Sequence, residues 1–232
     1  MCNTAPRSSL ITCSGVITTL AGDGSGKFSG DGGAANRAGL AEPNGLTLDR
    51  DHRRLFIADV ADHRVRIIDL SSGVITTFAG TGNGRHAGDG GPATLADVFG
   101  ARAVALAPDD SLYLMERQGS SVRRIHNGII ETIAGTGARG YAGDGQDARQ
   151  AVFDAPKEMA VDPAGNIFIV DTENHVIRLI DAKTWIVTTI AGNGKPGPDA
   201  LGRPHGAVVG PDGAVYIGDS ENHRVRKLIR PR

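Results

Sequence analysis

Acidic, basic and imidazole side chains recur at fixed places along this 232-residue chain, and each recurrence suggests a chemistry. Gly-Asp-Gly turns centre on Asp31, Asp89 and Asp144. Carboxylates and carbonyls in acidic turns can hold calcium, although the spacing here is not that of an EF-hand. The competing reading has each aspartate accepting N–H groups of its own loop while the glycines take positive φ. Three copies favour this structural reading, and no other cofactor is expected. His63, His175 and His223 recur at a second position. Histidines are common metal ligands, but equivalent positions of a repeat are carried apart, so capping a strand and bonding a neighbouring unit is the expected role. Asp59, Asp171 and Asp219 recur at a third position and suit the tight turn that follows each. GTGARG at 135–140 satisfies G-x-G-x-x-G, but no helical pattern follows to meet a pyrophosphate. Walker A, H-E-x-x-H, G-x-S-x-G and C-x-x-C are absent.

Groups that recur need elements that recur. Each unit has a β-rich segment ending in Ala-Gly: GVITTLAG (15–22), GVITTFAG (73–80), GIIETIAG (128–135) and WIVTTIAG (185–192). A Gly-rich loop such as AGTGNGRHAGDGGPA (79–93) follows, then three short apolar runs. The runs are rich in Val, Ile and Thr, last four to seven residues, and are bounded by turn signals such as Asp-Pro-Ala-Gly-Asn (162–166). None keeps a helical period over a dozen residues. Four short antiparallel strands repeated four times predict an all-β fold, a four-bladed β-propeller. The expected blades are 43–80, 101–135, 155–192, and 203–230 completed by 15–22, after an N-terminal tail at 1–14. Pairing 15–22 with the last blade would close the ring and remove two sheet edges. Exchange of that strand between subunits is the alternative, giving either a monomer or a strand-swapped oligomer.

The third-run openings DHRVR (62–66), NHVIR (174–178) and NHRVR (222–226), with the preceding P-x-G and G-x-[IV]-[YF]-[IV]-x-D patterns, resemble the NHL repeat. The GDGG(P)A loop is similar to the bacterial and teneurin-type version of it. The resemblance covers residues 15 to 230 and implies a propeller, usually of six blades in that family. It implies a binding platform for proteins or RNA, with lyases and lactonase-like hydrolases among the relatives.

One register breaks the repetition. The first runs are expected to line the axis, and near their starts stand Asn44, Arg102, Lys157 and His205. A ring of cations at a mouth could hold a carboxylate, sulfate or phosphate, or merely solvate a channel rim, and Glu158 tempers the charge. The second unit also departs from D-x-x-[DN]-H, reading Met115-Glu116-Arg117-Gln118-Gly119-Ser120-Ser121, and the fourth Gly-rich loop shortens to GNGKPGPDA (192–200). Two functions follow. The first is an interaction module that takes a protein partner or small anion through Asn44, Arg102, Lys157, His205 and Arg117. The second is a hydrolase or lyase, lactonase-like or metal-assisted, with His205 as base, Arg102 and Lys157 as anion clamp, and Asp219 or Glu116 assisting.

Composition narrows the partners. A formal net charge of −1 and 4% aromatic residues disfavour nucleic acid. The arginines of HRVR and VRR are expected to alternate outward and solvate blade edges. No apolar stretch approaches a membrane span. The N-terminal residues lack the basic and apolar regions of a signal peptide, which fits a cytoplasmic chain or a mature secreted form. Cys2 and Cys13 both fall in the tail, so neither a disulfide framework nor a cysteine-rich metal site is expected of the domain.

Overall fold

The computed structural model describes residues 17–229; Cys2, Cys13 and the tail at 1–14 lie outside the described residues. The chain is an all-β, four-bladed β-propeller. Blade 1 begins with a two-residue strand, β1 (Gly33–Ala34), that flanks its outer edge. Its four main strands are β2 (Pro43–Leu48), β3 (Arg54–Asp59), β4 (Arg64–Asp69) and β5 (Val74–Ala79). Blade 2 holds β6 (Ala101–Leu106), β7 (Leu112–Glu116), β8 (Ser121–His126) and β9 (Ile129–Ala134). Blade 3 holds β10 (Glu158–Val161), β11 (Ile167–Asp171), β12 (Val176–Ile180) and β13 (Val187–Ala191). Blade 4 has β14 (Gly206–Val209), β15 (Val215–Asp219) and β16 (Arg224–Leu228). All pairings within blades are antiparallel, and all but that of β1 with β5 join strands consecutive in the chain. Among the described residues no helix is long and apolar enough to cross a membrane.

Local chemistry sets the turns. In the β10–β11 turn, Asp162 Oδ1 accepts the N–H groups of Ala164 and Asn166, both at 2.9 Å. The third strands open on a left-handed residue: His63, Ser120, His175 and His223 have φ between 44° and 57°. The glycine that ends each fourth strand is required by close approach as well as by φ. A Cβ on Gly192, at φ +85°, would lie 2.2 Å from the His175 carbonyl oxygen.

The first strands are innermost and pack in sequence, β2 on β6, β6 on β10, and β10 on β14. Each junction is an apolar layer. Phe56, Ala58 and Val65 of blade 1 meet Val104, Leu112 and Leu114 of blade 2. Tyr113, Met115 and Val122 of blade 2 meet Met159, Ile167 and Ile169 of blade 3. Phe168, Val170 and Ile177 of blade 3 meet Val215 and Ile217 of blade 4. Burial of such layers is the main favourable term in the fold.

The expected closure by 15–22 is corrected by the sheet order. Among the described residues blade 4 has three strands, and residues 17–22 join no ladder. The physical reason lies in blade 1. Leu20 and Ala21 pack against its Ile57, Ile68 and Ile75, and Gly22 N–H donates to the Ala35 carbonyl at 3.0 Å. That segment is anchored to blade 1, and among the described residues β14 and β2 make no junction like the other three.

Candidate functional site

The third-strand arginines correct the expectation that they point outward. Arg66, Arg123 and Arg178 are fully buried. Each reaches the aspartate of a Gly-Asp-Gly turn: Arg66 Nη2 to Asp31 at 2.6 Å, Arg123 Nη2 to Asp89 at 2.6 Å, and Arg178 Nη2 to Asp144 at 2.9 Å. The aspartates therefore serve a guanidinium more than their own loops, and the cation beside each carboxylate is an arginine. The flanking glycines do take positive φ, as at Gly30, Gly32, Gly88 and Gly90. Among the described residues no cluster of three or more His, Cys, Asp or Glu converges on a metal position. Aromatic rings lie over two of these arginines, Phe28 over Arg66 and Tyr141 over Arg178. His86 takes the corresponding place in blade 2, bonded to Glu116 and to Thr132 Oγ1.

The acids at the ends of the second strands complete this network. Asp59 accepts Ala41 and Glu42 N–H, Asp171 accepts Asp154 N–H, and Asp219 accepts Gly202 N–H. They tie the incoming loop to the blade, and Asp171 and Asp219 also take the amide of Asn174 and Asn222 in the following turn. Burial raises the Asp171 carboxyl to about 6. Its folded value exceeds the unfolded one, so its stabilising contribution is complete at acid pH and is lost as pH rises through about 6. Asp171→Asn stays neutral. Relative to this variant, the native protein should lose up to about 3 kcal/mol of unfolding free energy between pH ~4 and ~7. Denaturant melts across that range check it, and a flat difference contradicts it.

Two of the three recurring histidines, His63 and His175, bond the next blade as expected, whereas His223 of blade 4 forms no such bond among the described residues. His63 Nδ1 accepts Gly100 N–H at 3.1 Å and His175 Nδ1 accepts Arg203 N–H at 3.0 Å. They position the loops that deliver the next first strand to the axis.

At that axis the variable register is partly assembled. Lys157 Nζ lies 2.8 Å from His205 Nε2. Burial, then Arg203, with smaller effects from Arg117 and Arg102, holds the Lys157 ammonium below its ordinary range. Burial, then Lys157, Arg203 and Arg102, lowers the His205 imidazole likewise. Glu173 is the acid that opposes these cations, but it is engaged by Arg203 at 2.6 Å. Neither Arg102 nor Arg117 forms a side-chain hydrogen bond or ion pair with any described residue. The buried Nε of Arg117 has no partner. Burial raises the carboxyl of Glu158, with the Met159 N–H and then Arg102 opposing.

The expected site thus divides. Arg102, Lys157, His205 and Arg117 share one electrostatic neighbourhood. Asn44 is exposed and donates only to the Glu42 carbonyl at 3.1 Å. Asp219 and Glu116 form no bond to His205. Asp219 holds Arg226 at 2.8 Å, and Glu116 accepts Phe99 N–H, Ser121 Oγ and Arg123 Nη1. Sequence reasoning missed Arg203 and Glu173. Arg203 stands two residues before His205, in the stretch next to the shortened fourth loop, and that proximity was the available signal.

Comparisons with known proteins bear on the repeat and the fold. The model of the NHL repeat matches residues 201–228. The chain is 29% identical over 172 residues to the protein SUPPRESSOR OF QUENCHING 1, chloroplastic, of Arabidopsis thaliana, covering 66% of this chain and 16% of that protein. It is 26% identical over 189 residues to NHL repeat-containing protein 2 of Gallus gallus, covering 71% of this chain and 25% of the relative. It therefore spans a quarter or less of either protein's length. Among solved structures, a gluconolactonase of Xanthomonas campestris superposes with a TM-score of 0.62 at 14% identity, covering 83% of this chain and 60% of that one. A streptogramin B lyase gives 0.50 at 16% identity, covering 82% and 55%. At such identities these two likenesses establish the fold alone. The chain thus carries an NHL repeat in its last blade, at residues 201–228, and is built as a four-bladed β-propeller.

Proposed function

We propose that the propeller is a binding module whose axial mouth takes a small anionic ligand, a carboxylate, sulfate or phosphate group, through Arg102, Arg117, Lys157 and His205. One observation carries this reading. Two basic groups, Lys157 and His205, sit 2.8 Å apart near two arginines whose side chains form no hydrogen bond or ion pair with a described residue. Cations crowded in a partly buried setting are costly, and an anion with several oxygens relieves that cost by charge-assisted bonds. The loop-rich face around the mouth is the companion surface for a protein partner, consistent with function residing in loops set on a rigid scaffold.

Calorimetric titration of sulfate and citrate at low ionic strength tests the mouth. Binding must be accompanied by proton uptake, because an anion favours the protonated forms of His205 and Lys157. No measurable heat with either anion overturns the proposal.

A hydrolase or lyase at the same mouth is the second reading. It is supported by the lowered imidazole of His205, which is a neutral base at physiological pH. Asp219 and Glu116 assist only at a distance, through the loops they hold. Hydrolysis of an aldonolactone by the native protein, abolished in His205→Ala, would sustain it. Absent or unchanged turnover removes it.

A further inference from the structure

Comparison of equivalent positions in the four blades exposes two unfinished faces. On the face each blade turns toward the next, Val65, Val122 and Ile177 are 0% exposed, whereas Val225 of blade 4 is 78% exposed. On the face each blade turns toward the previous one, Val104 and Met159 are 5% and 4% exposed, whereas Leu46 of blade 1 is 59% exposed. Gly45 is crowded by the Ala103 backbone of the next blade, but nothing lies within 4 Å of a Cβ placed on Gly206 at the same register. A groove of 330 Å³ opens there, lined by Gly206, Val208, Tyr216, Gly218 and Val225 among others.

The strand edges match this pattern. In the fourth-strand register, Ile75, Ile130 and Val187 are fully buried, but Ile17 is 96% exposed. Residues 22–23 are nevertheless held to blade 1 as fourth-strand exits are held elsewhere. Gly22 and Asp23 N–H donate to Ala35 and Ala38, as Gly80 and Thr81 donate to Ala93 and Ala96. The segment before Gly22 thus lies where the outer strand of a blade preceding blade 1 would lie, and no such blade is present among the described residues. β16 meanwhile pairs on one side only.

We infer that this chain associates with a second copy of itself head to tail, blade 4 of one copy packing on blade 1 of the other. The occupant is specified by the chain's own construction. It makes this kind of junction three times internally, between the same two faces, and each free face is one half of a fourth. In the assembly Val225, Val208 and Tyr216 cover Leu46 and Leu48. The fourth-strand segment containing Ile17 adds to the open edge of β16. The contact is heterologous, because the two surfaces differ.

Light scattering after gel filtration tests this with Val225→Glu and Leu46→Glu, each blocking one face. Both positions are exposed in the single chain, so both variants should fold, with the circular dichroism of the native protein. The native chain is expected to form dimers or larger species that grow with concentration, and each variant alone to be monomeric. Mixing the variants should yield a 1:1 pair and nothing larger, since one open face survives on each. A monomeric native chain overturns the inference. So does association of either variant alone, as like-with-like pairing would give, or a mixture that stays monomeric.

Discussion

Replacing Arg123 with Met is expected to lower the unfolding free energy by about 3–5 kcal/mol. The guanidinium is fully buried and bonded to Asp89 Oδ1, to the Ala87 and Asp97 carbonyls, and to Glu116 Oε1. Met fills much of the volume but leaves the buried Glu116 without its guanidinium partner. Stranding a buried charge costs far more than an ion pair contributes. Arg54→Met breaks the pair with Asp49 at 2.8 Å, but the Arg54 side chain is half exposed, so it should cost less than about 1 kcal/mol. Adding Glu116→Gln to Arg123→Met should recover part of the loss, because the orphaned charge is then gone. Equal costs for the Arg123 and Arg54 variants in denaturant melts contradict this account of the blades.

At the mouth, Lys157→Ala should weaken sulfate or citrate binding roughly 10- to 100-fold, the worth of a charge-assisted hydrogen bond. Arg102→Ala should act in the same direction. The native affinity should rise as pH falls through the titration of His205. Burial and the neighbouring Lys157, Arg203 and Arg102 hold its value below that of an ordinary histidine, and binding raises it again. In His205→Ala the pH dependence should flatten. Affinity unchanged in both Lys157→Ala and Arg102→Ala would mean that the ring solvates a channel rim and does no more.

Period-two runs of Val, Ile and Thr between Gly- and Asp-rich turns were sufficient to read the strands, their order and the axial place of the first strand in each unit. The arginines were misread for a physical reason. Alternation along β4, β8 and β12 places residues on two faces, but it does not say whether a face is wet. Arg66, Arg123 and Arg178 are dry because a Gly-Asp-Gly loop more than thirty residues upstream folds over them. That contact is long-range and invisible to local pattern. The mouth was half legible. The changing register marked Arg102, Lys157 and His205, whereas Arg203 and Glu173 enter only through the packing of blade 3 on the loop before blade 4. The role of 15–22 was legible as strand chemistry but not as a pairing, since the repeat specifies which partner type a strand takes, not which copy supplies it.

The most direct test of the central claim is a crystal structure grown with sulfate and refined at a resolution that orders water around the axis. The account predicts one anion held jointly by Lys157 and by Arg102 or Arg117. Density showing only water among those three side chains, with sulfate bound elsewhere, would contradict it.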